Sequence, residues 1–185
     1  KHALSIRSMA RPLASAKLKG IFGNGFDYEA VRSKRVELMD NYVEKNGIEV
    51  KSGAKELLSF LKENGYKVAL ATATPPQRAE RYLKAHDLYK YFDVTVSASM
   101  VSVGKPAPDI YLKAAEMLGL SPQNCVALED SPNGIKSASS AGCVTVMVPD
   151  LDKPSNDIIP LLHGVADGLS DVKRILRELE DCNIQ

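Results

Sequence analysis

The chain has 185 residues, enough for one domain, or one domain with a small insert, around a sizeable core. Hydrophobic residues make up 44% and charged residues 25%, and 24 basic against 23 acidic side chains leave a net charge of +1, an ordinary balance for a soluble globular protein. No basic stripe with interleaved aromatics points to nucleic acid, and no apolar run reaches the length of a membrane span, so neither is an expected partner. Cys125, Cys143 and Cys182 have no C-x-x-C spacing, and His2, His86 and His163 are scattered singly. That pattern argues against a disulfide framework or a zinc site and fits a reducing cytoplasm.

Residues 1–47 contain no convincing strand. Leu4, Ile6, Met9, Leu13, Leu18 and Ile21 recur at loosely helical spacing, and Pro12 suits the first turn of a helix rather than its interior. Asp27 is placed to cap a longer helix, with Val31, Arg35, Leu38, Met39, Tyr42 and Val43 along one face until Asn46-Gly47 ends it. The stretch reads as a small helical bundle, or else as a helical arm of the main domain. From residue 48 the pattern changes, and residues 48–185 alternate helix and strand. Ala54, Leu57, Leu58 and Leu61 form an amphipathic stripe, residues 67–72 a buried strand, and Pro75-Pro76 open a helix to about residue 86. Strands at 93–97, 125–128 and 143–148 are separated by helices at 108–118 and 133–141, and Ser170 is placed to cap a last helix over 171–179. Such alternation predicts a parallel, doubly wound sheet.

Three strand ends carry chemistry. The centre of the pattern is the apolar run that ends in two carboxylates, Glu129 and Asp130, followed by Ser131-Pro132-Asn133-Gly134 and a helix of small residues. Ligands of open α/β sheets lie beyond the carboxyl ends of the strands, which makes the pair a candidate hard-metal site. The competing reading is an N-cap for the next helix. At the strand end 69–74, Thr72 offers a hydroxyl, and the backbone N–H groups between strand and helix suit an anion; a simple threonine cap remains the alternative. In Gly104-Lys105-Pro106-Ala107-Pro108-Asp109 two prolines restrict the backbone after a lysine, holding its ammonium near one place, where it can neutralise a phosphoryl group and a neighbouring carboxylate.

Taken together, these stretches resemble the haloacid dehalogenase superfamily, in its subgroup of small helical-cap phosphatases and β-phosphoglucomutase-like proteins. Leu-Ala-Thr72-Ala-Thr is similar to the family's second motif, Gly-Lys105-Pro-Ala-Pro-Asp-Ile-Tyr to its third and Leu-Glu129-Asp130-Ser-Pro-Asn-Gly-Ile to its fourth, and the likeness spans about residues 51–148. The resemblance implies a Rossmann-like parallel core, residues 48–185, behind a partial helical cap, residues 1–47. It implies a Mg²⁺-dependent hydrolase of a small phosphorylated metabolite, with a phosphoglucomutase-type transferase or a non-catalytic phosphate-binding protein as alternatives. By the same resemblance Thr72, the Ala73 amide and Lys105 would bind phosphate, Lys105 would also bridge to the nucleophile, Glu129 and Asp130 would hold Mg²⁺, and Ser131 and Asn133 would stand behind them. A monomer is the expectation, a dimer the alternative.

One departure limits the match. The family's nucleophile and acid/base lie in an Asp-x-Asp-Gly motif on the first core strand, and this chain contains no such sequence. Mg²⁺ and Lys105 can stabilise charge but cannot form the covalent intermediate. By the resemblance, that strand is central in the family's sheet, between those ending at Thr72 and Glu129, and its loss would leave unpaired edges and a hole in the core. The chain is therefore expected to be part of a longer parent and to be inactive alone.

Overall fold

The computed structural model describes residue 2, residues 4–6 and residues 9–182. Helix α1 (Arg11–Phe22) carries its proline in the first turn, where a missing N–H costs no hydrogen bond. Helix α2 (Tyr28–Asn46) starts as expected on Asp27, whose carboxylate accepts the Ala30 N–H at 2.9 Å. Ala14, Leu18 and Tyr28 form a small core between these helices, with Ile6, Met9 and Phe26 against it. The expected bundle is not complete. Val31, Leu38 and Tyr42 are 52%, 58% and 65% exposed, because among the described residues no further helix covers that face of α2.

The alternation beyond residue 48 is as the sequence predicts: α3 (Ala54–Glu63), β1 (Ala69–Thr72), α4 (Pro76–Ala85), β2 (Val94–Ser97), α5 (Asp109–Leu118), β3 (Val126–Glu129), α6 (Pro132–Ser140) and β4 (Val144–Met147). A two-residue strand β5 (Gly164–Val165), too short to leave a periodic signal, and α7 (Val172–Cys182) complete it. The last helix starts after Asp171 rather than after Ser170. Asp171 is engaged there, its carboxylate taking the Arg174 Nε–H at 2.9 Å and the Asp167 N–H at 3.3 Å. No helix among the described residues is long and apolar enough to cross a membrane.

All ladders are parallel, but the sheet is in two parts. Strand β1 pairs with β2 from Ala69 opposite Val94 to Thr72 opposite Ser97, while β3, β4 and β5 form a second sheet in that order. No ladder joins β1 to β3. Both parts pack on α5, whose Ile110, Tyr111 and Ala114 share one core with Val96 of β2 and Ala127 of β3. Helices α3 and α7 close the opposite side through Leu57, Val172, Ile175 and Leu176 around Val146. Between β1 and β3 lies an apolar cleft of about 490 Å³, lined among others by Leu57, Leu61, Ala69, Ala71, Ala127 and Leu128. The break in the sheet falls between the strands that end at Thr72 and Glu129.

Cys125 is half-buried and Cys143 buried, and neither is in a disulfide. Burial pushes the Cys143 thiol up to about 11 and raises that of Cys125, so both stay protonated and unreactive. The side chain of Cys182 lies outside the described residues.

Candidate active site

The site is built on the end of β3 and the turn into α6. Ser131 caps the helix, its Oγ accepting the Gly134 N–H at 3.2 Å. Capping is thus done by the serine, while the Glu129 carboxylate collects donors of its own. Its Oε1 accepts from the Lys105 ammonium and from the Tyr111 hydroxyl; its Oε2 accepts the Asp130 N–H at 3.3 Å and the Ser131 hydroxyl at 3.4 Å. Lys105, Glu129 and Tyr111 are 8%, 7% and 9% exposed, so this ion pair is in the interior and little screened by water.

Three further contacts fix the lysine loop. The Val103 N–H donates to Asp109 at 3.1 Å, the Lys105 carbonyl accepts the Ala10 N–H at 3.0 Å, and the Ser137 hydroxyl donates to the Ala107 carbonyl at 2.6 Å. The loop is thereby tied both to the segment entering α1 and to α6, and the Lys105–Pro106 peptide is cis. Lys105 Nζ lies 5.1 Å from the centre of the Tyr111 ring and 3.5 Å from its hydroxyl. Burial, and next to it the charge of Glu129, push the Tyr111 phenol well above its ordinary range, so it serves as a protonated donor.

Glu129 is also pressed against α6. Gly134 stands where any Cβ would overlap the Glu129 carboxylate, so the helix can pass this close only with glycine at that position.

Thr72 occupies the end of β1, and the hydrogen bond it makes there is local: its Oγ1 accepts the Thr74 N–H at 3.0 Å. One of the N–H groups expected to serve an anion is therefore already engaged, and Pro75 and Pro76 have none. Ala73 is exposed. The Ser97 hydroxyl, 1% exposed at the end of β2, holds the turn by donating to the Thr74 carbonyl at 2.9 Å. The structure thus brings Lys105, Glu129 and Ser131 into one hydrogen-bonded unit, with Asp130 and Asn133 half-buried in the adjoining turn and Thr72 on the neighbouring sheet.

Sequence reasoning gave no role to Tyr111, Ser137 or Ser97. Tyr111 had a signal, since it closes the lysine motif and falls in the first turn of α5; Ser97 looks like an ordinary strand-end serine and Ser137 like one more small residue inside α6. Among the described residues no group of three or more His, Cys, Asp or Glu is gathered for a metal. Glu129 and Asp130 still supply adjacent oxygen donors, the ligand type Mg²⁺ takes when one or two carboxylates and a phosphate complete its shell. The donor set fits that ion and not a soft metal.

A second cavity, about 820 Å³, lies between α2 and α4 and is lined by Asp40, Glu44, Arg78, Arg81 and Tyr82 among others. Arg78 donates to Asp40 across it at 2.8 Å.

The family model for haloacid dehalogenase-like hydrolases matches residues 14–142. The phosphorylated carbohydrates phosphatase of Thermotoga maritima is 40% identical over 124 residues, which are 67% of this chain and 50% of that protein. Hexitol phosphatase B of Escherichia coli is 40% identical over 97 residues, 52% of this chain and 44% of that one. The chain thus spans about half the length of the curated relatives it matches. The β-phosphoglucomutase of Clostridium difficile shares the fold, with a TM-score of 0.77 over 100% of this chain and 83% of its own, at 23% identity.

Proposed function

Since this chain belongs to the haloacid dehalogenase-like hydrolase family, we propose that it carries the phosphate and metal half of a Mg²⁺-dependent phosphatase for a small phosphorylated carbohydrate. The observation that carries the reading is the buried Lys105–Glu129 pair at the end of β3, with Asp130 beside it. A lysine and two carboxylates at a strand end suit a metal-assisted phosphoryl transfer better than a structural ion pair, which could be replaced by apolar residues at little cost. Hydrolysis is preferred over return of the phosphoryl group to a sugar because relatives of 40% identity are named as phosphatases.

In this reading Lys105, the Thr72 hydroxyl and the Ala73 amide hold the phosphoryl oxygens. Glu129 and Asp130 hold Mg²⁺, and Ser131 and Asn133 orient them. When bound, Mg²⁺ supplies positive charge against the transferring phosphoryl group. The nucleophile is a carboxylate on an extended segment that fills the apolar cleft between β1 and β3, pairing with both free edges and ending near Lys105. Residues 1–47 act as a cap over core residues 48–185, with the cavity between α2 and α4 giving room for a sugar and excluding water on closure.

Phosphate release from a panel of hexose and hexitol phosphates by the full-length parent, with and without Mg²⁺, tests this. Turnover is expected only with Mg²⁺, and Lys105→Ala is expected to lower kcat by about 100-fold or more. No turnover of any panel member, or an undiminished Lys105→Ala variant, would contradict it.

A further inference from the structure

Four donors converge on the Glu129 carboxylate, and they are unequal. The two on Oε2, from Asp130 and Ser131, are long at 3.3 and 3.4 Å and come from residues adjacent in sequence, so they move with Glu129. The two on Oε1 come from Lys105 and from Tyr111 on α5, which are fixed by other parts of the fold. A divalent cation that draws on Glu129 must compete with this second pair. It also repels the Lys105 ammonium, since both are positive.

Tyr111 is built to receive what is released. Its ring already carries the ammonium at 5.1 Å from the centroid, and its oxygen lies 3.5 Å from Nζ. If Glu129 turns away, the phenol oxygen, which already accepts from Lys105 at 3.5 Å, remains its partner, and the lysine keeps its place with no new partner required. Resting on the Mg²⁺ reading above, we infer that the Tyr111 hydroxyl is a positioning group: it holds Glu129 on Lys105 while the metal site is empty, and it gives up Glu129 and retains Lys105 when a divalent cation binds. The hydroxyl thereby sets a threshold on cation affinity, while the ring keeps the lysine aimed.

Calorimetric titration of Mg²⁺ alone, run beside near-ultraviolet difference absorption on the native protein and on Tyr111→Phe, tests this. The sequence has no tryptophan and seven tyrosines, so the near-ultraviolet signal is a tyrosine signal. A tyrosine difference band growing with Mg²⁺ is expected in the native protein and absent in Tyr111→Phe. The variant is expected to bind Mg²⁺ about tenfold more tightly, because one charge-assisted hydrogen bond that opposes binding is gone. Equal or weaker binding by the variant, or a band that survives in it, would overturn the role of Tyr111 while leaving the Mg²⁺ site standing. Absence of Mg²⁺ binding to the native protein would overturn the metal reading itself, and this inference with it. Should Tyr111→Phe fail to fold, the native protein decides alone: Mg²⁺ binding with the band supports the inference, and binding without it refutes the inference.

Discussion

Replacing Lys105 by alanine is expected to remove about 3–5 kcal/mol of folding stability, the cost of leaving a buried charge without its partner. Glu129 is 7% exposed, and after the substitution the Tyr111 hydroxyl, the Ser131 hydroxyl and the Asp130 N–H remain, among the described residues, to solvate it. The loss should appear as a lower urea midpoint at unchanged slope. The double variant Lys105→Met with Glu129→Leu should recover most of it, since a buried ion pair exchanged for apolar residues of similar volume is roughly neutral. That pair of results would separate the two roles of these residues. On the proposed reading, phosphoryl transfer requires both Lys105 and Glu129, whereas the fold requires only that neither charge be left alone. A loss below about 1 kcal/mol in Lys105→Ala would mean that the pair is screened as a surface ion pair is.

Gly134→Ala is expected to destabilise the protein by about 2 kcal/mol or more, against the usual preference of helices. In an open helix position alanine is favoured over glycine by about 1 kcal/mol. Gly20 in α1 is such a position, with nothing within 4 Å of a Cβ placed there, and Gly20→Ala should stabilise by roughly 0.5–1 kcal/mol. At Gly134 the sign reverses because the added methyl would overlap the Glu129 carboxylate and drive it off Lys105. Thermal unfolding of the two variants side by side reads the contrast directly. If both glycines responded alike, the close approach of Glu129 to α6 would be wrong.

The strand ends were legible in the sequence because each combines a buried apolar run with a polar stop, as in Ala69–Thr72 and Val126–Glu129. The break between β1 and β3 left no local pattern in the sequence, and only the family resemblance pointed to it. Of the two readings that the sequence left open at Glu129-Asp130, helix cap or metal site, the cap is taken by Ser131, which accepts the Gly134 N–H. Two points were beyond sequence reasoning for physical reasons. A periodic stripe on α2 records an apolar face but not what covers it, and here Leu38 and Tyr42 face solvent. A tyrosine in the first turn of a helix is ordinary until a lysine and a glutamate from two other elements are seen to meet at its hydroxyl.

Calorimetric titration of Mg²⁺ into the protein and into its Asp130→Asn variant tests whether the end of β3 is a Mg²⁺ site facing Lys105. About one Mg²⁺ should bind per chain, with affinity reduced by about tenfold or more in the variant, as expected when a ligating carboxylate loses its charge. Equal binding by both proteins, or no binding by the native one, would contradict it.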